Sequence, residues 1–144
     1  MQLPKAERSG KRSETRDLVA PIIRALNRMP GVRVVRNANL GPVVPWARRH
    51  DPDARPIVSG LGTGSADVVG LVDCRDGPEE LPWGRALALE VKVPPDETHR
   101  AGVVRLDQRR WLLAFRRFGG FAAVVRSIAE AREAVERCRA GLDH

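Results

Sequence analysis

Three residues in the middle of the chain are chemically out of place. Asp67 opens the otherwise apolar run Ala66–Val72, directly after the turn Gly60-Leu61-Gly62-Thr63-Gly64. Glu90 and Lys92 interrupt a second apolar run, ALALEVKV, at residues 86–93. Side chains alternate along a strand, so Glu90 and Lys92 share one face and Val91 points away. Burying a carboxylate and an ammonium among apolar neighbours costs several kcal/mol, to order of magnitude, unless they are paired or bind a metal. One reading is a structural ion pair at a strand end, and another is a polar edge strand facing water. A third is a metal site with an acid–base group attached. Two carboxylates supply hard oxygen ligands for Mg²⁺ or Mn²⁺, and the Val91 carbonyl could add a third oxygen. Such an ion polarises a phosphate and lowers the pKa of an attacking water, while a lysine orients that water or offsets developing charge. That chemistry suits phosphodiester hydrolysis.

Composition sharpens the choice. Of 25 basic residues, only Lys5, Lys11 and Lys92 are lysine, and the first two lie near the N-terminus. A lysine inside an apolar strand can do what arginine cannot, because its pKa is tunable. The net charge of +7 is also one-sided. Residues 1–55 hold 12 Lys and Arg against 5 Asp and Glu, whereas residues 56–144 hold 13 of each. A basic segment of this kind fits a polyanionic partner such as DNA, or serves as a solubilising tail. No apolar run reaches the ~18 residues of a membrane span, and no secretory signal is visible, so a cytoplasmic protein is expected. Cys74 and Cys138 form no CxxC pair and read as buried or incidental thiols.

The elements that must position these residues follow from periodicity. A length of 144 residues fits one domain. Residues 1–12 read as a flexible basic arm, and residues 13–144 as the domain. Ser13 is a candidate N-cap for a helix to about Met29, with Leu18, Ile22, Ala25, Leu26 and Met29 on its buried stripe. Pro21 should bend that helix or delay its start. Strands are expected at 32–36, 66–72, 86–93 and 121–125. A helix over 106–118 should bury Trp111, Leu112, Phe115 and Phe118, ending at Gly119-Gly120. The run Ser127-Ile128-Ala129-Glu130 is a capping box for a last helix to about Ala140. Residues 37–60 form a long Gly- and Pro-rich connection of the kind that is often functional. The order is α-β-β-β-α-β-α, a mixed three-layer α/β domain.

A glycine-rich turn, Asp67, then Glu90-Val91-Lys92 on the next strand resembles the PD-(D/E)XK nuclease motif. The nearest subgroup is the virus-type replication–repair nucleases, the VRR-NUC domains. The resembling segments are Glu14 on the first helix, RVVRNANLG, GTGSADVVGLV, ALEVK and LDQRRWLLAFRRFGGFAAVV, covering roughly residues 13–130. Ala66 stands where the family has proline before the aspartate. The resemblance implies a restriction-endonuclease-like αβββαβ core with a mixed β-sheet flanked by helices. It implies an Mg²⁺- or Mn²⁺-dependent endonuclease acting on branched or structured DNA, Holliday junctions or flaps, in replication, repair or recombination, and working as a homodimer. Asp67 and Glu90 would ligate the metal with the Val91 carbonyl, Lys92 would be the catalytic lysine, and Glu14 would help hold the metal through water. Gln108 would face the site and touch the lysine or DNA. The ordinary alternatives are a first-turn acid for Glu14 and an exposed helix residue for Gln108.

Arg36, Arg48, Arg49, Arg105, Arg109 and Arg110 are candidate phosphate contacts, as are Arg116 and Arg117, although a solvated helix face is the usual reading of such a run. Trp46 either stacks on an unpaired base or anchors its loop, and Trp111 belongs to the core. His50 and His99 have no partner at metal-ligand spacing, though His99 follows Lys92 by seven residues. A non-catalytic DNA-binding module that kept the fold is the alternative to an enzyme.

Overall fold

The computed structural model describes residues 10–38, 60–79, 82–95 and 102–142, and in the first helix the side chains from Leu18 onward. The elements are α1 (Gly10–Leu26), β1 (Val32–Arg36), β2 (Val68–Asp73), β3 (Gly84–Val91), α2 (Leu106–Arg117), β4 (Phe121–Val125) and α3 (Ile128–Arg139). They form a mixed α/β fold, with one four-stranded sheet in the order β1-β2-β3-β4. The first two pairings are antiparallel and β3–β4 is parallel. The parallel pair is joined by α2, as a crossover connection requires.

Alternation along the strands divides the sheet into two faces. Val32, Val34, Val68, Val72, Leu87, Leu89, Val91, Phe121 and Val125 pack with Val19, Ile22 and Leu26 of α1 and Ala131, Ala134 and Val135 of α3. The opposite residues, Val69, Ala88, Ala122 and Val124, meet Trp111, Leu112 and Phe115 of α2. The helices therefore sandwich the sheet in three layers. Each fully buried Val, Leu, Ile or Phe contributes on the order of 2 kcal/mol.

Several boundaries differ from the sequence reading. The first helix starts at Gly10, so Ser13 lies inside it and residues 10–12 of the expected arm are helical. Lys11 and Arg12 are good helix formers, and nothing at Ser13 obliges the helix to start there. Pro21 sits within an uninterrupted helix, which simply forgoes one backbone bond. The helix ends at Leu26 because Asn27 turns to the sheet: its Nδ2 donates to the Val34 carbonyl and its Oδ1 accepts the Val34 N–H, both at 2.9 Å. Strand β2 begins at Val68, leaving Asp67 in the turn before it, and β3 begins at Gly84 and ends one residue before Lys92. The Cys74 N–H donates to the Trp83 carbonyl at 2.9 Å, which extends the β2–β3 pairing into the expected turn. Phe118, which its spacing places on the buried face of the helix, is 91% exposed. It is the C-cap, past the last helical residue, and Gly119 turns the chain away at φ 87°.

Two glycines are set by contact. At Gly70 a Cβ would lie 2.0 Å from the Arg33 carbonyl oxygen, so only glycine lets β1 and β2 approach there. At Gly64, with φ 82°, a Cβ would lie 2.9 Å from the Asp107 backbone, so the glycine turn and the start of α2 meet through this residue.

Candidate active site

The antiparallel register between β2 and β3 pairs Val68 with Leu89. One step further along the same register, Asp67 stands across from Glu90, at the end of the sheet where α2 begins. Asp67 is held there by Asn37. The Asn37 N–H donates to the Asp67 carbonyl at 2.9 Å. Asn37 Nδ2 donates to Ser65 Oγ and to the Ala66 carbonyl, both at 2.8 Å. Asn37 Oδ1 accepts the Leu61 N–H at 3.1 Å. One side chain thus fastens the end of β1 to both ends of the glycine-rich turn.

The Asp67 carboxylate reaches over β3, where Oδ2 accepts the Val91 N–H at 2.9 Å. In an extended residue the N–H and C=O project to the same side, so the Val91 carbonyl also faces Asp67. Desolvation raises the Asp67 carboxyl above its usual range, opposed by the Val91 hydrogen bond and by the charges of Lys92, Arg36 and Arg105.

Glu90 is 1% exposed. Its Oε1 takes the Lys92 ammonium at 2.7 Å and the side-chain amide of Gln108. Its Oε2 is buried and has no hydrogen-bond partner among the described residues. Burial pushes the Glu90 carboxyl up to about 7; the Lys92 contact opposes this and the nearby Asp67 charge adds to it. Gln108 is buried rather than exposed, and its Oε1 accepts from Lys92 Nζ and from the Arg105 N–H, both at 3.0 Å. The second of these belongs to the capping box that starts α2, so the helix start and the Glu90–Lys92 pair share one amide.

The structure therefore brings together Asp67, Glu90, Val91, Lys92 and Gln108. Arg36 and Arg105 lie near enough to act on the Asp67 carboxyl electrostatically. Arg105 also pairs with Asp107 at 3.0 Å. Arg109 and Arg110 are exposed on α2. Arg116 has turned inward, donating from Nε to the Ala122 carbonyl at 3.0 Å. Trp111 stacks on Phe115 with ring centroids 5.1 Å apart. Glu14 lies in α1, but its side chain falls outside the described residues, as do Trp46, Arg48, Arg49, His50 and His99. Asn37 escaped the sequence reading. The available signal was an amide residue immediately after an alternating strand, a position where Asn commonly bonds to the backbone.

Among the described residues no group of three or more His, Cys, Asp or Glu could hold a metal. The donor set here is two carboxylates and one main-chain oxygen. These residues fit a hard divalent cation: Glu90 Oε2 is a buried oxygen lacking a partner, and buried carboxylates otherwise require a cation or hydrogen bonds. No protein-family model matches the chain, and neither a curated protein nor a solved structure matches it significantly. No helix among the described residues is long and apolar enough to cross a membrane.

Proposed function

We propose that the chain is a metal-dependent DNA endonuclease of the PD-(D/E)XK type, resembling the VRR-NUC subgroup, with a restriction-endonuclease-like core. The observation that carries the reading is Glu90: a buried carboxylate with one oxygen on Lys92 and Gln108 and the other without a partner, across the strands from Asp67. Asp67, Glu90 and the Val91 carbonyl would hold Mg²⁺ or Mn²⁺, which when bound supplies Lewis-acid polarisation of a phosphate and a more acidic water. Lys92 contributes a cation 2.7 Å from Glu90 Oε1, able to orient the attacking water and to offset charge developing on the phosphate oxygens. Gln108 holds both members of that pair in register. Arg36 and Arg105, whose charges act on the Asp67 carboxyl, would contact phosphates flanking the cut.

Branched or structured DNA is the proposed substrate and a homodimer the proposed assembly, since two symmetric sites suit a two-fold junction. The test is cleavage of linear duplex, single strand, flap and four-way junction with Mg²⁺, Mn²⁺ or EDTA. Metal-dependent cutting that falls by ~10²–10³-fold or more in Lys92→Ala supports the reading. Binding without cutting in any metal, unaltered by Lys92→Ala, would mean a non-catalytic DNA-binding module.

A further inference from the structure

Helix α2 lies over β4, β3 and one end of β2. Among the described residues its packing takes in Ala66, Val69, Ala88, Ala122 and Val124. Beyond Val69, toward β1, the same face is exposed among the described residues: Leu71 and Val35 are each 62% exposed, and Arg33, which pairs with Leu71 across the strands, is exposed too. Beside this floor lies Trp83, at 81% exposure. Its backbone is not loose, because its carbonyl accepts the Cys74 N–H at 2.9 Å. Trp83, Leu71, Arg33, Asp73 and Arg75 line a groove of about 550 Å³. Asp73 is bound to Arg75, Nε lying 3.0 Å from each carboxylate oxygen. With that pair internally neutral, Arg33 leaves the groove with a net positive charge.

We infer that this groove is a binding site for an unpaired nucleotide, its base stacked on Trp83 and its phosphate drawn to Arg33. An exposed aromatic ring beside a cation is the usual equipment for holding single-stranded nucleic acid without reading sequence. An apolar protein partner would leave the arginine and the basic N-terminal third unexplained. The groove lies on the same sheet as the candidate active site, toward the opposite end of β2. Asp67, Val69 and Leu71 alternate onto one face, so the groove begins about 13 Å from Asp67 and reaches about 20 Å at Asp73, at ~3.3 Å per residue. Trp83 stands across from Cys74, about 23 Å along β2 from Asp67, so at ~3.4 Å per stacked nucleotide the captured base lies about seven positions from the cut. The inference rests on the nuclease reading for that spacing and gives its substrate a character: DNA with an unpaired base at that distance from the scissile bond.

The experiment is fluorescence anisotropy on the full chain in EDTA, with a labelled single-stranded oligonucleotide and the matching duplex. Trp83→Ala should weaken single-strand binding ~5- to 150-fold and change duplex binding less than about twofold, while Trp83→Phe restores most of the loss. Far-UV circular dichroism should be unchanged, since the ring is exposed. Equal single-strand affinity in wild type and Trp83→Ala overturns the inference. So does a shift from dimer to monomer in sedimentation with affinity unaltered, which would make Trp83 a contact between two copies. Because binding is read without metal, the two readings fail separately. A protein that cuts nothing yet shows Trp83-dependent binding loses the nuclease and keeps the groove, and one that cuts in a Lys92-dependent way without Trp83-dependent binding does the reverse.

Discussion

The carboxylate of Asp67 accepts the backbone N–H of Val91 at 2.9 Å, tying the turn before β2 to the last residue of β3. That bond takes one oxygen of Asp67 to the third strand and leaves the neighbouring Glu90 to be neutralised by something else. Lys92 and Gln108 answer half of that need.

Glu90 should make the metal-free protein less stable as pH rises. Burial raises its carboxyl from 4.5 to about 7, so between those values the folded state binds more protons than the unfolded state. Stability therefore falls as pH increases through that window and levels off above it, by on the order of 3 kcal/mol. Urea unfolding in EDTA at pH 5 and pH 8 should show the drop in wild type and a much smaller one in Glu90→Gln. Identical pH dependence in the two proteins counts against a buried, uncompensated Glu90. Added Mn²⁺ should restore stability to wild type at pH 8 and leave Glu90→Gln unchanged.

Lys92→Met keeps the stem and removes the charge. At pH 8 the substitution breaks the ion pair, and Glu90 must then take up a proton or stay charged without a cation, so the cost should be about 2 kcal/mol or more. At pH 5 Glu90 is protonated, and the same substitution should cost less than half as much. Thermal or urea unfolding at the two pH values measures the difference directly, and an equal cost at both would show that Lys92 does not serve to neutralise Glu90.

Asn37→Ala should loosen Asp67 without touching it. It removes two donated bonds and one accepted bond around the glycine-rich turn, a loss of about 2 kcal/mol in unfolding experiments. Calorimetric Mn²⁺ binding should weaken as well, because the turn that leads into Asp67 loses its side-chain ties and only the main-chain bond from residue 37 to the Asp67 carbonyl remains. Unaltered metal affinity would mean that the main-chain bond to residue 37 and the Val91 N–H suffice to position Asp67.

Gly64→Ala and Gly70→Ala should separate site geometry from fold. At Gly70 the new methyl group meets the Arg33 carbonyl at 2.0 Å, and about 3 kcal/mol or more of stability should be lost. At Gly64 it meets the Asp107 backbone in a left-handed conformation, so a strain of ~1–3 kcal/mol falls on the contact between the turn and α2. That variant should remain folded by circular dichroism yet lose cleavage, since pushing α2 away carries Gln108 from Glu90.

Much of the frame was legible in the chain itself. The element order followed from periodicity, because β1 and β4 are bounded by turn residues and α3 opens on Ser127, whose Oγ accepts the Glu130 N–H at 3.1 Å. Element ends were read less well where distant partners decide them. Asn27 stops α1 by bonding to Val34, and Cys74 prolongs the hairpin by bonding to Trp83. Phe118 looked like core by its type, yet sits beyond the helix end.

The sequence by itself determined that an acid and a lysine two residues apart would share a strand face, since alternation is a local property of extended backbone. It also marked Asp67, Glu90 and Lys92 as misplaced in apolar runs. Only the tertiary structure decided that Asp67 meets Glu90, because that depends on the β2–β3 register. Only it buried Gln108 against both Glu90 and Lys92, because that depends on where α2 lands after its crossover. The same packing left Leu71 and Trp83 exposed, because α2 lies over β4, β3 and the Val69 end of β2 and does not reach them.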